Sequence, residues 1–520
     1  MTSPYITEDH ELFRQSVRQF VDKEVLPNAN EWEEKQQIPR EVFLRMGELG
    51  FLGINFPEEY GGTDVDFFYS VVLLEEIARS TLGGLAAAHG VHQFMSTAHI
   101  RKAGSPALKS RYLPKAVTGE KWGALGVSEP NAGSDVSAIR TTAVKENKHY
   151  VINGSKTFIT NGFYGDFITL ACKTDPNAGV SGMSLIVVDL NTPGVTSSKL
   201  KKIGWHSSDT AEIAFDNVKV PVENLVGAEN QGFYYIMESF QLERLVAGIS
   251  AVSGAQQCLD TTLKYISERE AFGRPIKKFQ ALRHNLVDLA TEIEAARQLV
   301  YNTAWQYDKG EVVVKECSMV KLFTTEIGKK VADVCLQCFG GYGYMEEYPI
   351  ARMYRDARVG TIVGGTSEIM KEILAKIIID DVQYESAYEK ENNIVKTETN
   401  NNLTNNKDQM GTKPEKASEI LKSLPTRLKA DKVNGVKTTF HFDIEGPNGG
   451  QFTVNVANGN CTVADGLIGE AKCVLKAKDS DYEDVELGRT NPQMAVMMGK
   501  IKISNIGEMM SFVGYFDRLY

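Results

Sequence analysis

The sequence predicts a multidomain protein in the order helices, strands, helices, followed by a separate α/β unit. Three observations predict it. Apolar residues recur at helical spacing up to about residue 120, and again from Gln231 to Ile379. Between them, from Gly123 to about Val226, short apolar runs are broken by Gly, Pro, Asn and Asp, as in a β domain. An Asn-rich polar stretch at 385–413 then precedes a unit that mixes helical and alternating segments. At 520 residues the chain has room for three or four domains of ~150 residues each.

In chain order, Glu11–Leu26 carries Leu12, Phe13, Val17, Phe20 and Val21 near helical period, and Pro27 is expected to stop it. Val71–Ile77 opens another apolar helix. Tyr150-Val-Ile followed by Asn153-Gly154 predicts a hairpin turn, and Phe167–Ala171, Met183–Leu190 and Ala211–Phe215 read as strands. Helices follow at about 233–268, 278–309, 312–339 and 367–379, a four-helix bundle. After the linker come a helix near Ala417–Leu428 and two strands joined through Gly446-Pro-Asn-Gly-Gly450. The expected domains are 1–120, 121–230, 231–384, the linker 385–413, and 414–520.

Composition narrows the function. With 42% hydrophobic and 24% charged residues the chain is neither disordered nor fibrous. No apolar run reaches the ~18–20 residues of a membrane span. The acidic start lacks the layout of a secretory signal. A soluble protein of the cytoplasm or an organelle matrix is expected. The net charge of −10 argues against a nucleic-acid partner, and all of it lies in the first 412 residues. Seven scattered Cys suit a reducing compartment. Cys335 and Cys338 share an apolar helical face with Val331 and Val334 and have no second Cys or His pair nearby, so they read as core and no metal is expected.

Four segments stand out chemically. On the helix after Gly232 the apolar face of Phe233, Ile236, Met237 and Phe240 runs into Glu243 and Arg244, and then into small residues. Such charges form either a partly buried ion pair or a desolvated general base. Gly364-Gly365-Thr366-Ser367-Glu368 opens a helix, either as a plain cap or as a ligand-facing turn with free N–H groups. Phe339-Gly-Gly-Tyr-Gly-Tyr344 and Gly126-Val-Ser-Glu-Pro-Asn-Ala-Gly-Ser-Asp135 are a glycine cluster and a polar loop.

Together, in this order, these segments resemble the acyl-CoA dehydrogenase family over residues 1 to about 382. The resemblance rests on Val127-Ser-Glu-Pro-Asn-Ala-Gly-Ser-Asp, Lys156-Thr-Phe-Ile-Thr-Asn-Gly162, Arg269-Glu-Ala-Phe-Gly-Arg-Pro-Ile276, Gln337-Cys-Phe-Gly-Gly341 and Gly364-Gly-Thr-Ser-Glu368. It implies the acyl-CoA dehydrogenase fold: a helical N-terminal domain, a middle β domain and a C-terminal four-helix bundle. It also implies an FAD lined by Leu125, Val127, Ser128 and Ser134. Phe158, Ile159 and Thr160 would cover the ring, and Thr366 and Glu368 would touch the cofactor. Arg269, Phe272, Gln280, Gln337, Gly340 and Gly341 would reach the FAD of a neighbouring subunit in a homotetramer.

Many family members place the catalytic Glu at the position of Gly364, which cannot take a proton. Long-chain and isovaleryl-type members place it in a Glu-Arg-Leu setting on the bundle helix, matched here by Gln241-Leu-Glu-Arg-Leu245. The resemblance thus makes Glu243 the base. It would take an α proton from an acyl-CoA thioester while the β hydrogen leaves as hydride to the flavin, and the product would be a trans-2-enoyl-CoA. Ser134, Ser208, Arg244, Gly364 and Gly365 would meet the substrate, with the Gly364 N–H bonding the thioester oxygen. Electron-transfer flavoprotein is the expected acceptor. An acyl-CoA oxidase and a non-catalytic acyl-CoA or lipid carrier remain alternatives.

Residues 414–520 resemble a sterol-carrier-protein-like α/β domain through Phe442-Asp-Ile-Glu-Gly-Pro-Asn-Gly-Gly-Gln-Phe-Thr-Val and Leu487-Gly-Arg-Thr-Asn-Pro-Gln-Met-Ala-Val-Met-Met-Gly-Lys-Ile-Lys. That implies a lipid or acyl-CoA ligand. Met494, Met497, Met498, Met509 and Met510 suit an adaptable lipid surface or an ordinary core.

Overall fold

Helix α1 (Glu8–Phe20) begins where the Thr7 hydroxyl accepts the His10 N–H at 3.3 Å and the Thr7 N–H bonds the His10 ring at 3.0 Å. Pro27 does not stop the helical path. The chain widens into a π turn over Val21–Val25, and Pro27 sits near the start of a 3₁₀ turn, Leu26–Asn28, where its missing N–H is not needed. The path runs on into α2 (Ala29–Lys35). α3 (Arg40–Glu48), α4 (Phe67–Ala78), α5 (Gly83–Gly90), α6 (Thr97–Ala103) and α7 (Pro106–Val117) complete the first helical layer. The structure, a computed structural model, describes residues 4–382 and 384, and residues 414–519 except 430, 431, 434, 458, 488, 490–494, 496–499 and 518. The linker 385–413 and Met494, Met497 and Met498 lie outside the described residues, as does the side chain of Met510.

The middle layer is an eight-stranded sheet: β1 (Gly123–Gly126), β2 (Thr142–Glu146), β3 (His149–Thr160), β4 (Phe167–Lys173), β5 (Met183–Asp189), β6 (Val195–Lys199), β7 (Thr210–Pro221) and β8 (Leu225–Val226). Its order is β6-β7-β3-β2-β4-β5-β8, with β1 parallel to β4. The hairpin turn expected at Asn153-Gly154 falls earlier, at Asn147-Lys148, where Asn147 has φ +54°. Gly154 instead lies inside β3 at φ +148°, where the register against β7 shifts. A Cβ there would come within 2.6 Å of the Thr141 hydroxyl, so glycine serves a close approach. His92, between α5 and α6, ties the helical layer to this sheet. Its ring accepts the Gly123 N–H at 3.1 Å and donates to the Ala116 carbonyl at 3.0 Å. Burial pushes its pKa down to about 4, consistent with the neutral tautomer.

The second helical layer comprises α8 (Gly232–Glu268), a small hairpin of β9 (Glu270–Ala271) and β10 (Arg274–Pro275), α9 (Gln280–Asp308), α10 (Val314–Phe339), α11 (Pro349–Ala357) and α12 (Ser367–Ile378). The long helices match the expected spans to within a few residues. The sequence reading does not anticipate α11. Val252, Leu259, Leu289, Ile293 and Val331 form the bundle core together with Cys335 and Cys338. Among the described residues no helix is long and apolar enough to cross a membrane.

The chain divides into two compact units at residues 398–399. In the second, α13 (Ala417–Lys422), α14 (Asp479–Glu486) and α15 (Ile506–Gly514) accompany a sheet of β11 (Lys437–Glu445), β12 (Gly450–Ala457), β13 (Asn460–Asp465), β14 (Cys473–Lys478) and β15 (Ile501–Ile503), in the order β13-β12-β11-β14-β15. The β11–β12 hairpin forms where expected. Phe440, Phe442, Phe452, Ile420 and Phe512 fill its core, with Met509 buried among them.

Candidate active site

The apolar stripe of α8 fixes the orientation of its two charged residues. Leu242, Leu245, Val246 and Ile249 pack against Phe67, Phe68, Val71 and Leu74 of α4 and against Phe94. The Gln241 side chain accepts the Val313 N–H at 2.9 Å and holds the start of α10. Glu243 is 6% exposed, and its Oε1 has no hydrogen-bond partner. Neighbours on a helix point ~100° apart, so Glu243 and Arg244 do not clasp each other. Among the described residues Glu243 is in no ion pair. Burial pushes its carboxyl up to about 8, and the Arg244 guanidinium offsets this only in part. Arg244, also buried, reaches the Ser318 hydroxyl of α10 at 3.5 Å and lies 5.5 Å from the Phe240 ring centre. Burial lowers its pKa.

The glycine turn also packs against α10. Gly364 and Gly365 adopt φ +64° and +91°, a conformation that side chains resist. A Cβ on Gly364 would meet nothing within 4 Å, so the position is open and carries no acid. Thr366 caps α12, its hydroxyl accepting the Ile369 N–H at 3.2 Å. Hydrogen bonds from its own backbone N–H and from Thr366 hold the Glu368 carboxyl below its usual range. Ser367 donates to Glu326 of α10 at 2.6 Å, and the Lys321 ammonium of α10 donates to the Gly365 carbonyl. Through Ser318, Lys321 and Glu326, then, α10 brings the Glu243–Arg244 turn and the Gly364–Thr366 turn onto one frame.

A second group gathers on the sheet. The Ser128 carbonyl accepts the Thr157 N–H at 3.0 Å, which joins the segment holding Leu125, Val127 and Ser128 to the end of β3. Beneath it Lys156, 0% exposed, donates to Glu129 at 2.8 Å and to the Val127 carbonyl at 3.0 Å. Glu129 also accepts the N–H groups of Arg140 and Thr141 and the Thr141 hydroxyl, at 2.6–3.0 Å. The register of β3 shifts between Lys156 and Ile159, and Phe158, at φ +61°, is pushed out to 72% exposure. Ile159 packs inward, leaving Phe158 and Thr160 on the outer side. Ser134 is exposed in the loop that follows β1.

Arg269, Phe272, Gln280, Gln337, Gly340 and Gly341 are all exposed, with Phe272 at 94%. The Arg269 guanidinium sits 5.4 Å from the Tyr342 ring centre, which joins the β9 end to the turn after α10. Ser208 lies elsewhere and is buried. It donates to the Trp205 carbonyl at 3.2 Å and receives the Lys202 ammonium at 3.1 Å. A flavin needs a flat apolar face, polar groups at the ring edge and a cation for its diphosphate. Phe158 and Thr160 with the 125–128 backbone supply the first two, and the exposed Arg269 offers a cation to the flavin of a neighbouring copy, so the residues fit the group.

Lys156, Glu129, Ser318 and Lys321 carry much of this geometry, and sequence reasoning gave none of them a role. A signal existed for Lys321: it sits at core spacing with Cys317, Thr324 and Gly328, a charge on an apolar face.

Residues 7–120, 124–218 and 230–379 match the N-terminal, middle and C-terminal domains of acyl-CoA dehydrogenase. An isovaleryl-CoA dehydrogenase of Oryza sativa subsp. japonica is 39% identical over 372 residues, 71% of this chain and 91% of that protein. The chain belongs to the acyl-CoA dehydrogenase family. The long-chain specific acyl-CoA dehydrogenase of Sus scrofa is 38% identical over 378 residues, 72% of this chain and 87% of that one. The crystal structure of an acyl-CoA dehydrogenase from Geobacillus kaustophilus superposes with a TM-score of 0.71 at 45% identity, covering 73% of this chain and all of that one. Acyl-CoA dehydrogenases are FAD flavoproteins and oxidoreductases. Residues 418–517 match the SCP-2 sterol transfer family, so this acyl-CoA dehydrogenase carries an SCP2 domain at its C-terminal end.

Proposed function

We propose that this chain oxidises acyl-CoA thioesters to trans-2-enoyl-CoA in fatty-acid or branched-chain acyl oxidation, with Glu243 as the base. The observation that carries the reading is a buried, unpartnered carboxyl at Glu243, next to an arginine that reaches α10, in a chain whose glycine turn has no acid at 364. FAD, held by Leu125, Val127, Ser128, Ser134, Phe158, Thr160, Thr366 and Glu368, would supply the two-electron acceptor that takes the β hydrogen as hydride, while Ile159 packs into the sheet beneath them. Arg269, Phe272, Gln280, Gln337, Gly340 and Gly341 serve the cofactor of a neighbouring protomer, so the working assembly is an oligomer, a homotetramer by family resemblance.

Glu243 takes the α proton at a carboxylate oxygen. Desolvation makes that oxygen a stronger base than an exposed carboxylate. The electron pair of the broken C–H bond moves onto the thioester oxygen, where the Gly364 N–H donates. Gly365 lets the backbone turn back on itself beside it, and Arg244 keeps positive charge next to the base. Ser134 meets the CoA portion through its exposed hydroxyl, and Ser208 through the loop that it braces. The electron pair of the α C–H bond forms the new double bond as the β hydrogen leaves with the two electrons that would go on to an electron-transfer flavoprotein, and the SCP2 domain holds lipid or acyl-CoA. The test is anaerobic mixing of the flavin-loaded chain with acyl-CoAs of graded length and branching. Bleaching of the flavin by at least one of them is expected; no bleaching by any would overturn the reading.

A further inference from the structure

Lys321 is fully buried, and its ammonium donates to the Gly365 carbonyl. Among the described residues it forms no ion pair. Arg244 acts on it with like charge, and Glu326 and Glu368 with opposite charge; burial and then Arg244 push its pKa down to about 8. A buried ammonium without a carboxylate partner is an expensive way to hold one carbonyl, since a neutral donor would make the same hydrogen bond. The expense makes sense where negative charge develops nearby.

The carbonyl that Lys321 holds is a sensitive point. Gly364 and Gly365 are consecutive left-handed residues, and a glycine pair has wide conformational freedom unless something fixes it. The α10 helix fixes the turn at two places: Lys321 on the Gly365 carbonyl, and Glu326 on the Ser367 hydroxyl. One turn before Lys321, Ser318 of the same helix receives Arg244, the neighbour of Glu243. The ammonium thus holds the turn that would donate to the thioester oxygen, one helical turn along α10 from the serine that receives the neighbour of the base.

We propose that Lys321 is a positioning residue for proton removal, its ammonium fixing the Gly364–Gly365 turn and adding positive potential where the thioester oxygen gains charge. This rests on the dehydrogenase reading given above. A 3-oxoacyl-CoA separates the two claims. Its β carbon has no hydrogen to give up, so it can lose an α proton and go no further, and the enolate is read by its own ultraviolet absorbance.

The expected result is that Lys321→Met retains FAD and binds the 3-oxoacyl-CoA. It moves the midpoint of enolate formation up by one pH unit or more, a tenfold loss of enolate below it. With a saturated substrate, kcat should fall at least tenfold and KM should change less than twofold. If Lys321→Met does not fold or load flavin, Lys321→Gln is read by the same criteria, because it keeps a neutral donor and lacks the charge. A wild-type enolate midpoint in the folded variant overturns the proposal, even if the variant is less stable. Should the unaltered chain bleach with no saturated acyl-CoA and form no enolate, the dehydrogenase reading fails and the proposal with it. Bleaching in the unaltered chain with unchanged enolate in the variant removes the Lys321 proposal alone.

Discussion

Glu243 and Lys321 are buried groups of opposite charge type whose pKa values burial brings towards the same region, about 8. As the proposed base Glu243 would work ionised, and the Lys321 ammonium would work protonated. The rate of flavin reduction should therefore rise with pH to a maximum near 8 and fall beyond it, and Lys321→Met should lose the falling limb. Stopped-flow traces from pH 6 to 10 would show this. Stability has its own sign. The folded carboxyl of Glu243 holds its proton well above the ordinary 4.5, so the folded state binds a proton that the unfolded chain has lost. Its contribution therefore weakens from about pH 4.5 upward and is gone above about 8. Glu243→Gln removes that loss. Its Tm gain over the unaltered chain should grow between pH 5 and 8 and then level off; a constant or shrinking gain in calorimetry would contradict the assigned burial. Glu243 was legible in the sequence because a charge on an apolar face breaks the helical pattern. Lys321 breaks its own pattern in the same way, but its partner, the Gly365 carbonyl, is 44 residues on and is set by the fold alone.

At the scale of elements, the long helices were the easiest to read, because α8, α9, α10 and α12 keep an apolar period over many turns. Local signals did worse. Asn153-Gly154 has the chemistry of a tight turn, yet β3 runs through it, since pairing with β2 and β7 on both sides outweighs a two-residue preference. The same strand carries the second register shift, which turns Phe158 outward over a floor made by Glu129 and Lys156. That floor is a buried ion pair with every Glu129 bond inside the protein, and breaking one side leaves the other charge stranded. Glu129→Ala should cost about 3–5 kcal/mol and lower flavin content. Urea unfolding and flavin absorbance would measure both effects. Retained stability with full flavin loading would show that the floor is not needed to present Phe158 and Thr160.

At the scale of the whole molecule, the helix–strand–helix order and the separate C-terminal unit were readable from composition and period. Assembly and ligand were not, because neither a partner's surface nor a tail's occupant leaves a periodic trace. Phe272, almost fully exposed beside Arg269, is expected to be covered by a neighbouring protomer. Phe272→Asp should shift sedimentation toward smaller species and reduce bound FAD together; an unchanged oligomer with full FAD would contradict that placement. Each unit has its own core, so removing residues 414–520 should leave turnover of short acyl-CoAs within about twofold. Turnover of long-chain substrates at low concentration should drop further, as expected for a tethered lipid carrier. Equal effects on both chain lengths would favour an assembly role for the tail. The most direct measurement is single-turnover flavin reduction, without oxygen, in the full-length chain and in Glu243→Gln, with an acyl-CoA that bleaches the former. The expected result is full FAD content in both and a loss of at least about a thousandfold in the variant's reduction rate, roughly 4 kcal/mol of barrier. Reduction by Glu243→Gln within tenfold of the unaltered chain would place the base elsewhere.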